Sequence, residues 1–253
     1  MTQFPFTKSE VITNLINFSQ NELHNYTSNR NFDYGPPHHN VSKISPYLRR
    51  RFISENEVLG VVLKDHNFNN IEKFIEEIFW RTYWKGWLES HPWIYDEYNA
   101  YDEDQSIPKK TGIKCFEHWK EELLDTGYLH NHSRMWFASI WIFTLGYSWQ
   151  SGANFFKNNL LDYCPASNTL GWRWVAGLQT IGKPYIAKAD NIKFFTNERF
   201  YPRNQLKENY ILNDKNITNG KPKNFNISDD NILKNHENLG VILNNIYLSQ
   251  LLL

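Results

Sequence analysis

Residues 71–90 read IEKFIEEIFWRTYWKGWLES, and their spacing decides the fold class. Ile71, Phe74, Ile75, Ile78 and Phe79 fall at i, i+3, i+4, i+7 and i+8, which predicts an amphipathic helix of about five turns with one face in a core. His91-Pro92 is expected to end it. A second stripe, Glu77, Trp80, Arg81 and Trp84, repeats the same spacing beside the first. Glu77 and Arg81 alone read as an ordinary i,i+4 ion pair. Two indoles on the same stripe are costly to leave in water and point to something they face.

Working toward the N-terminus, Ser54 precedes Glu55 and Glu57, which predicts a capped helix start. In VSKISPYL (41–48) either Ser42 or Ser45 can cap a short helix with Pro46 in its first turn. Arg49-Arg50-Arg51 follows, a short basic run that reads as a solvated helix face or a phosphate contact. Gly35, Pro36 and Pro37 make FDYGPPHHN (32–40) a loop, with His38-His39 expected at its surface. The first forty residues otherwise show short apolar patterns broken by Asn.

Toward the C-terminus, YDEYNAYDEDQSIPKKTG (95–112) reads as an acidic, Tyr-rich loop. CFEHWKEELLDTG (115–127) predicts a helix closed by Gly127. Residues 130–149, HNHSRMWFASIWIFTLGYSW, read as a buried helix, 151–163 as its successor, and GWRWVAGLQ (171–179) as a further short one. Asn131, Arg134, Met135 and Ala138 share a face. Beyond Asn204, Asn, Lys, Asp and Gly dominate and apolar periodicity is lost, so 204–253 is expected to be an extended or poorly ordered segment and 1–203 the folded domain. The run Gly240 to Leu243 reads as a docking strand or helix or the opening of a further domain. Without internal repeats or strand–helix alternation, the body is expected to be all-α.

Composition limits function. The chain of 253 residues carries 27 Lys+Arg and 27 Asp+Glu, net charge +0, so no global field draws it to nucleic acid or an anionic membrane and any such partner needs a local patch. Two cysteines make no disulfide framework, and the start lacks a secretory pattern, which points to a reducing, cytoplasmic compartment. No apolar run is long enough to span a membrane. There is no CxxC, HExxH, GxGxxG, Walker A or GxSxG motif, so no metal, dinucleotide-fold or serine-hydrolase chemistry is expected. Aromatic residues are 16% of the chain and its ten tryptophans all lie between Trp80 and Trp174.

Three constellations, taken in order, resemble the FAD-binding helical domain of the photolyase and cryptochrome family. The resemblance runs from about Tyr26 to about Pro202. NYTSNR and VSKISPYL resemble the loop that wraps the FAD pyrophosphate, which implies cofactor contacts for Tyr26, Arg30, Ser42, Lys43, Ile44 and Ser45; Val41 replaces the family's Thr. EEIFWRTYW (76–84) resembles the Glu-x-x-Trp-Arg helix. It implies that Glu77 serves lesion and cofactor, Trp80 flanks the lesion and Arg81 lies on the flavin side. TGIKCFEHWKEELLDTGYLHNHSRM (111–135) is similar to the Thr-Gly…Thr-Gly-Trp-Met-His-Asn segment. Asn131, Arg134 and Met135 would thus sit beside the flavin, with His132 where many members use an Arg on DNA.

LLDYCPASNTLGWRWVAG (160–177) resembles the Asp-x-Asp-x-Ala-x-Asn-x-x-x-Trp-x-Trp stretch. Asp162 would pair with Arg134, Cys164 replaces the second carboxylate, Asn168 would face flavin N5, and Trp174 would stack on the extruded base. Trp172 and Trp149 fall at the inner and middle positions of the family's electron-transfer chain. The outer Trp is missing, and Tyr95, Tyr98 or Tyr101 are its candidate substitutes. The resemblance implies FAD as cofactor and light-driven reversal of pyrimidine dimers in damaged DNA, with Glu77, Met135 and Asn168 closest to the chemistry. A flavin photoreceptor or redox flavoprotein is the alternative, and a cofactor-free helical module a third reading. Family members normally carry an N-terminal α/β domain that binds an antenna pigment, whereas this chain starts almost at the flavin domain; no antenna is expected within this polypeptide, and a separate antenna or redox protein is a candidate partner.

Overall fold

Two short sequences with the same logic start the first half of the molecule. Thr7 accepts from the Glu10 amide while the Glu10 carboxylate receives the Thr7 N–H, and Ser54 and Glu57 repeat the exchange. Each satisfies helical N–H groups that would otherwise lack partners. They open α1 (Lys8–Asn21) and α4 (Glu55–Val62), which pack on each other. Between them lie α2 (Tyr26–Asn29) and α3 (Ser45–Arg49). The computed structural model describes residues 4–101, 108 and 110–209.

The long helix α5 (Phe68–Ser90) buries Ile71, Phe74, Ile75 and Ile78 as its spacing predicts. Phe79 departs from that expectation and is 41% exposed. Eight residues from Ile71 the helix has turned about 80° past the stripe, which carries this ring to the edge of the buried face. Pro92 does not simply terminate the chain direction; it takes the first turn of α6 (Pro92–Asn99), so the start of the expected Tyr-rich loop is helical. Residues 102–107 and 109 of that loop are outside the described set.

The second half follows with α7 (Lys114–Thr126), closed by Gly127 at φ 68°, where an L side chain is disfavoured. Then come α8 (Asn131–Ser139), a π-helical turn (Ile140–Thr144), α9 (Trp149–Asn159), α10 (Pro165–Val175) and α11 (Ala189–Phe195). No strand occurs among the described residues. None of their helices is long and apolar enough to cross a membrane.

Two expectations about the loops are corrected. Neither Ser42 nor Ser45 caps α3, whose N-cap is Ile44 without a side-chain bond; the Ser45 hydroxyl instead donates to Asp162 Oδ2 at 2.6 Å. His38 is buried, not at the surface, because its Nε2 donates to Glu122 Oε1 at 2.6 Å across 84 residues. Of the segment from 204, the first residues return to the body: Lys207 N–H donates to Thr144 Oγ1 and Glu208 accepts from the Ala189 N–H. Residues 210–253, with the Gly240–Leu243 run, lie outside the described set.

The apolar interior comes in separate pieces. One joins α1, α3, α4 and the first half of α5 through Val11, Leu15, Leu48, Val58 and Phe74. A larger one joins α7 to α11 through Trp119, Trp136, Phe137, Trp141 and Trp172. α10 bridges them by packing on α9, α8 and α5.

Candidate functional site

A single hollow of about 850 Å³ opens between α2, α3 and α5 on one side and α8 and α10 on the other. That volume suits a cofactor-sized ligand. Its walls hold all the residues expected at the site except two. Tyr26, Arg30 and the loop residues Ser42, Lys43, Ile44 and Ser45 form one side. Glu77, Trp80 and Arg81 enter from α5, and Asn131, Arg134 and Met135 from α8. Asp162, Cys164, Asn168, Trp172 and Trp174 complete it from α10 and the turn before.

Two ion pairs fix the polar walls. Both terminal nitrogens of the Arg134 guanidinium donate to the Asp162 carboxylate, at 3.0 and 2.9 Å, and Arg134 Nε donates to the Leu129 carbonyl at 2.9 Å. Burial raises the Asp162 carboxyl, but Arg134 and the Ser45 hydroxyl outweigh it and leave the group below the ordinary carboxylate range. The second pair corrects an expectation: Glu77 joins Arg30 of α2, at 2.5 Å, and not Arg81. Burial wins there, so the Glu77 carboxyl is raised despite Arg30 and Lys73. Arg81 donates to the Ser45 carbonyl at 3.3 Å, and its Nη1 is buried without a partner.

Helix α10 supplies the opposite wall. The Asn168 amide donates to the Ala153 carbonyl at 2.9 Å, which sets the plane of its amide. Gly171 lines the hollow, and a Cβ added there meets nothing within 4 Å. At Gly152 of α9 the opposite holds, because a Cβ would stand 2.2 Å from the Trp172 ring. Trp172 is thereby seated on a bare backbone, edge-on to Phe156 and Trp141, with its Nε1–H buried and unpartnered. Trp174 stacks on Tyr185 at 5.5 Å. Cys164 is the N-cap residue of α10; burial raises its thiol, but Arg81 and bonds from Ser167 bring it below its usual value.

The structure does not bring His132 or Trp149 to the hollow. His132 points inward: Nδ1–H donates to the Asn31 carbonyl at 2.9 Å, Nε2 accepts from the Tyr185 hydroxyl, and the ring stacks on Trp136. Trp149 lies one helical turn before Gly152, in the layer behind Trp172. It stacks on Tyr98 at 5.7 Å, with the Arg173 guanidinium 5.6 Å from its ring. Tyr98 in turn meets Tyr95 at 5.9 Å, and Tyr101 shares a hydrogen bond with Ser148. Among lining residues the sequence reading passed over are Tyr83, Trp87 and Gln179. The α5 pattern contained the first two, which follow Trp80 at i+3 and i+7.

Comparison with known proteins gives consistent matches. The model of the family described as the FAD binding domain of DNA photolyase matches residues 74–217. The deoxyribodipyrimidine photo-lyase of Alkalihalophilus pseudofirmus is 29% identical over 191 residues, 70% of this chain and 39% of that protein. That of Buchnera aphidicola from Acyrthosiphon pisum is 27% identical over 260 residues, 92% of this chain and 53% of the relative. A crystal structure of a class III photolyase from Agrobacterium tumefaciens superposes with a TM-score of 0.61 at 26% identity, covering 79% of this chain and 44% of that one. The chain thus spans about half the length, or less, of the relatives it matches.

Proposed function

Because the chain belongs to the family of the FAD-binding domain of DNA photolyase, we propose that its FAD, held in the hollow between α5 and α10, drives blue-light reversal of pyrimidine dimers in DNA. The observation that carries this reading is that Trp80 and Trp174, 94 residues apart in sequence, line one hollow together with Glu77, Met135 and Asn168. The residues present suit the cofactor. The space is adequate, Gly171 keeps it open, and the unpartnered Arg81 Nη1 and Trp172 Nε1 are donors awaiting acceptors.

When bound and reduced, FAD supplies the excited electron that splits the dimer and takes it back afterwards. The chain does the rest. Tyr26, Arg30, Ser42, Lys43, Ile44 and Ser45 would hold the cofactor's phosphate-bearing end, and Arg81 would offer positive charge on the flavin side. Arg134 places a fixed cation against the wall and Asp162 holds it there, so charge developing nearby meets a rigid dipole and not mobile water. Asn168 presents a neutral amide that serves as donor or acceptor in either protonation state of its partner. Trp80 and Trp174 hold an extruded pyrimidine pair between aromatic faces and exclude water, as base-flipping enzymes require. Glu77, whose carboxyl is raised by burial and held by Arg30, would hydrogen-bond the dimer. Trp149 and then Trp172 would carry electrons inward when the cofactor needs reducing.

Two features favour a second reading, a flavin photoreceptor or redox flavoprotein without repair: the zero net charge, and the inward-turned His132 at a position that resembles a DNA-contacting Arg. The test is light-dependent reversal of thymine dimers by the photoreduced protein, beside Asn168→Asp and Trp174→Ala. Reversal that both substitutions abolish supports repair. Efficient flavin photoreduction with no reversal by the unaltered protein selects the second reading.

A further inference from the structure

The link from α8 to α9 is shaped to lay one tyrosine on one tryptophan. After its π-helical turn (Ile140–Thr144) the Leu145 N–H donates to the Ile140 carbonyl at 2.9 Å. Gly146 at φ 79° then curls the chain back, so that the Tyr147 N–H donates to the Trp141 carbonyl at 3.1 Å. The two rings consequently lie 5.5 Å apart. Turns of the π type are rare and, where they occur, often stand at functional sites. Trp141 is fully buried, while Tyr147 is partly exposed next to the exposed Gly146.

On its other side Trp141 meets Trp172, the indole that lines the hollow, edge-on at 6.2 Å. Three oxidisable rings thus run without a gap from the hollow to the surface. Their polar surroundings give the series a direction. Trp141 Nε1–H donates to Ser151 Oγ at 3.1 Å and to the Ser148 carbonyl at 3.2 Å, whereas Trp172 Nε1 has no partner among the described residues. Away from water, oxygens fixed at the ring nitrogen favour positive charge on an indole, so an oxidised Trp172 is better off passing its charge to Trp141. Trp149 is placed differently. The Arg173 guanidinium stands 5.6 Å from its ring, with Glu97 3.8 Å from that cation, and like charge opposes an oxidised Trp149.

We infer that Trp141 and Tyr147 form a second electron path into the hollow, beside the one through Trp149, with Tyr147 as its terminal donor. Trp172 gives one electron to the photoexcited cofactor and becomes a radical cation. Trp141 refills Trp172, and Tyr147 refills Trp141. Tyr147 loses its phenolic proton to water at the same time and ends as a neutral radical, which removes the charge that would draw the electron back. A thiol in solution returns it to the phenol by giving a hydrogen atom, and two thiyl radicals join as a disulfide. A partly exposed tyrosine suits this end of the path because its proton has somewhere to go. The inference rests on the proposed function only in seating the flavin against Trp172; it requires no DNA.

The experiment illuminates the full, FAD-loaded chain with dithiothreitol as the thiol, follows flavin reduction by absorbance, and records electron paramagnetic resonance of samples frozen under light. Trp149→Phe serves as the background, because it closes the other path. In it a slow photoreduction is expected to persist, and adding Tyr147→Phe is expected to bring the rate down to that of Trp172→Phe. A neutral tyrosyl radical is expected in Trp149→Phe and absent once Tyr147→Phe is added. Tyr147→Trp in the same background restores photoreduction and exchanges the tyrosyl signal for a tryptophanyl one, which a packing role for the ring does not produce. Trp141→Phe acts as Tyr147→Phe does; should it lose its flavin, the Tyr147 variants at the surface still decide. A photoreduction rate indifferent to Tyr147→Phe, or a tyrosyl signal that survives it, overturns the inference. Dimer reversal by the unaltered protein after chemical reduction needs no tryptophan donor and so separates the two claims. Reversal without the Tyr147 radical sinks only this inference, and the radical without reversal sinks only repair.

Discussion

Arg134 and Asp162 face each other across the polar wall of the hollow in a bidentate pair, 3.0 and 2.9 Å, with Ser45 donating to the same carboxylate. The pair joins α8 to the turn before α10, and Ser45 joins both to α3. Asp162→Asn leaves the partly buried Arg134 guanidinium, 23% exposed, without its counter-charge and is expected to destabilise the fold by less than the about 3–5 kcal/mol of a fully buried pair. Chemical denaturation at neutral pH checks this, and flavin retention is expected to fall with it.

The same pair gives a pH dependence with a definite sign. The Asp162 carboxyl is lowered in the folded protein relative to an unfolded chain. Its stabilisation is therefore complete above about pH 4, the ordinary Asp range, and is lost as the pH falls further through the depressed folded value. Denaturation series at descending pH are expected to show a loss below pH 4 that Asp162→Asn lacks.

Gly171→Leu tests the hollow directly. Its Cβ enters open space, and leucine is the better helix former by roughly 0.8 kcal/mol. A folded protein of unchanged or higher melting temperature that no longer binds flavin is expected; absorbance and circular dichroism read the two separately.

Gly152→Val has the reverse outcome. The new side chain collides with Trp172 within the α9–α10 contact, and overpacking of this kind costs about 1–3 kcal/mol. A lowered melting temperature is expected, together with slower flavin photoreduction because the indole is displaced.

The layer behind Trp172 can be tested by light. Trp149→Phe is expected to slow photoreduction strongly. Tyr98→Leu, which removes the ring stacked on Trp149 at 5.7 Å, is expected to slow it as well, while Tyr101→Leu leaves the rate near that of the unaltered protein. Equal rates in all three variants would remove Trp149 and Tyr98 from the path.

The parts legible in the sequence are those where one local rule acts alone. The α5 stripe, the Ser54 cap and the Gly127 stop each follow from spacing or backbone freedom within a few residues, and each is found. The Thr7–Glu10 capping box obeyed the same rule and was readable, yet the Asn-rich texture around it masked α1. What stayed hidden depends on partners far along the chain. Ser45 gives up helix capping because Asp162 offers it a charged acceptor, Glu77 turns from Arg81 to Arg30, and His38 is drawn inside by Glu122. The site residues were named through resemblance; the hollow is lined by most of them, whereas His132, named with them, bonds inward to Asn31 and Tyr185.

The division of the apolar interior has a consequence for handling the protein. Ile44, Leu48 and Phe74 of one cluster and Leu129, Phe156 and Val175 of the other all end at the hollow, so its occupant acts as a keystone between two half-arches. Stripped of FAD, the two halves are expected to melt in separate steps; loaded, they should go together and at a higher temperature, by mass action on the native state. Preparations that lose colour will be losing their shape, and expression with flavin in excess is the remedy.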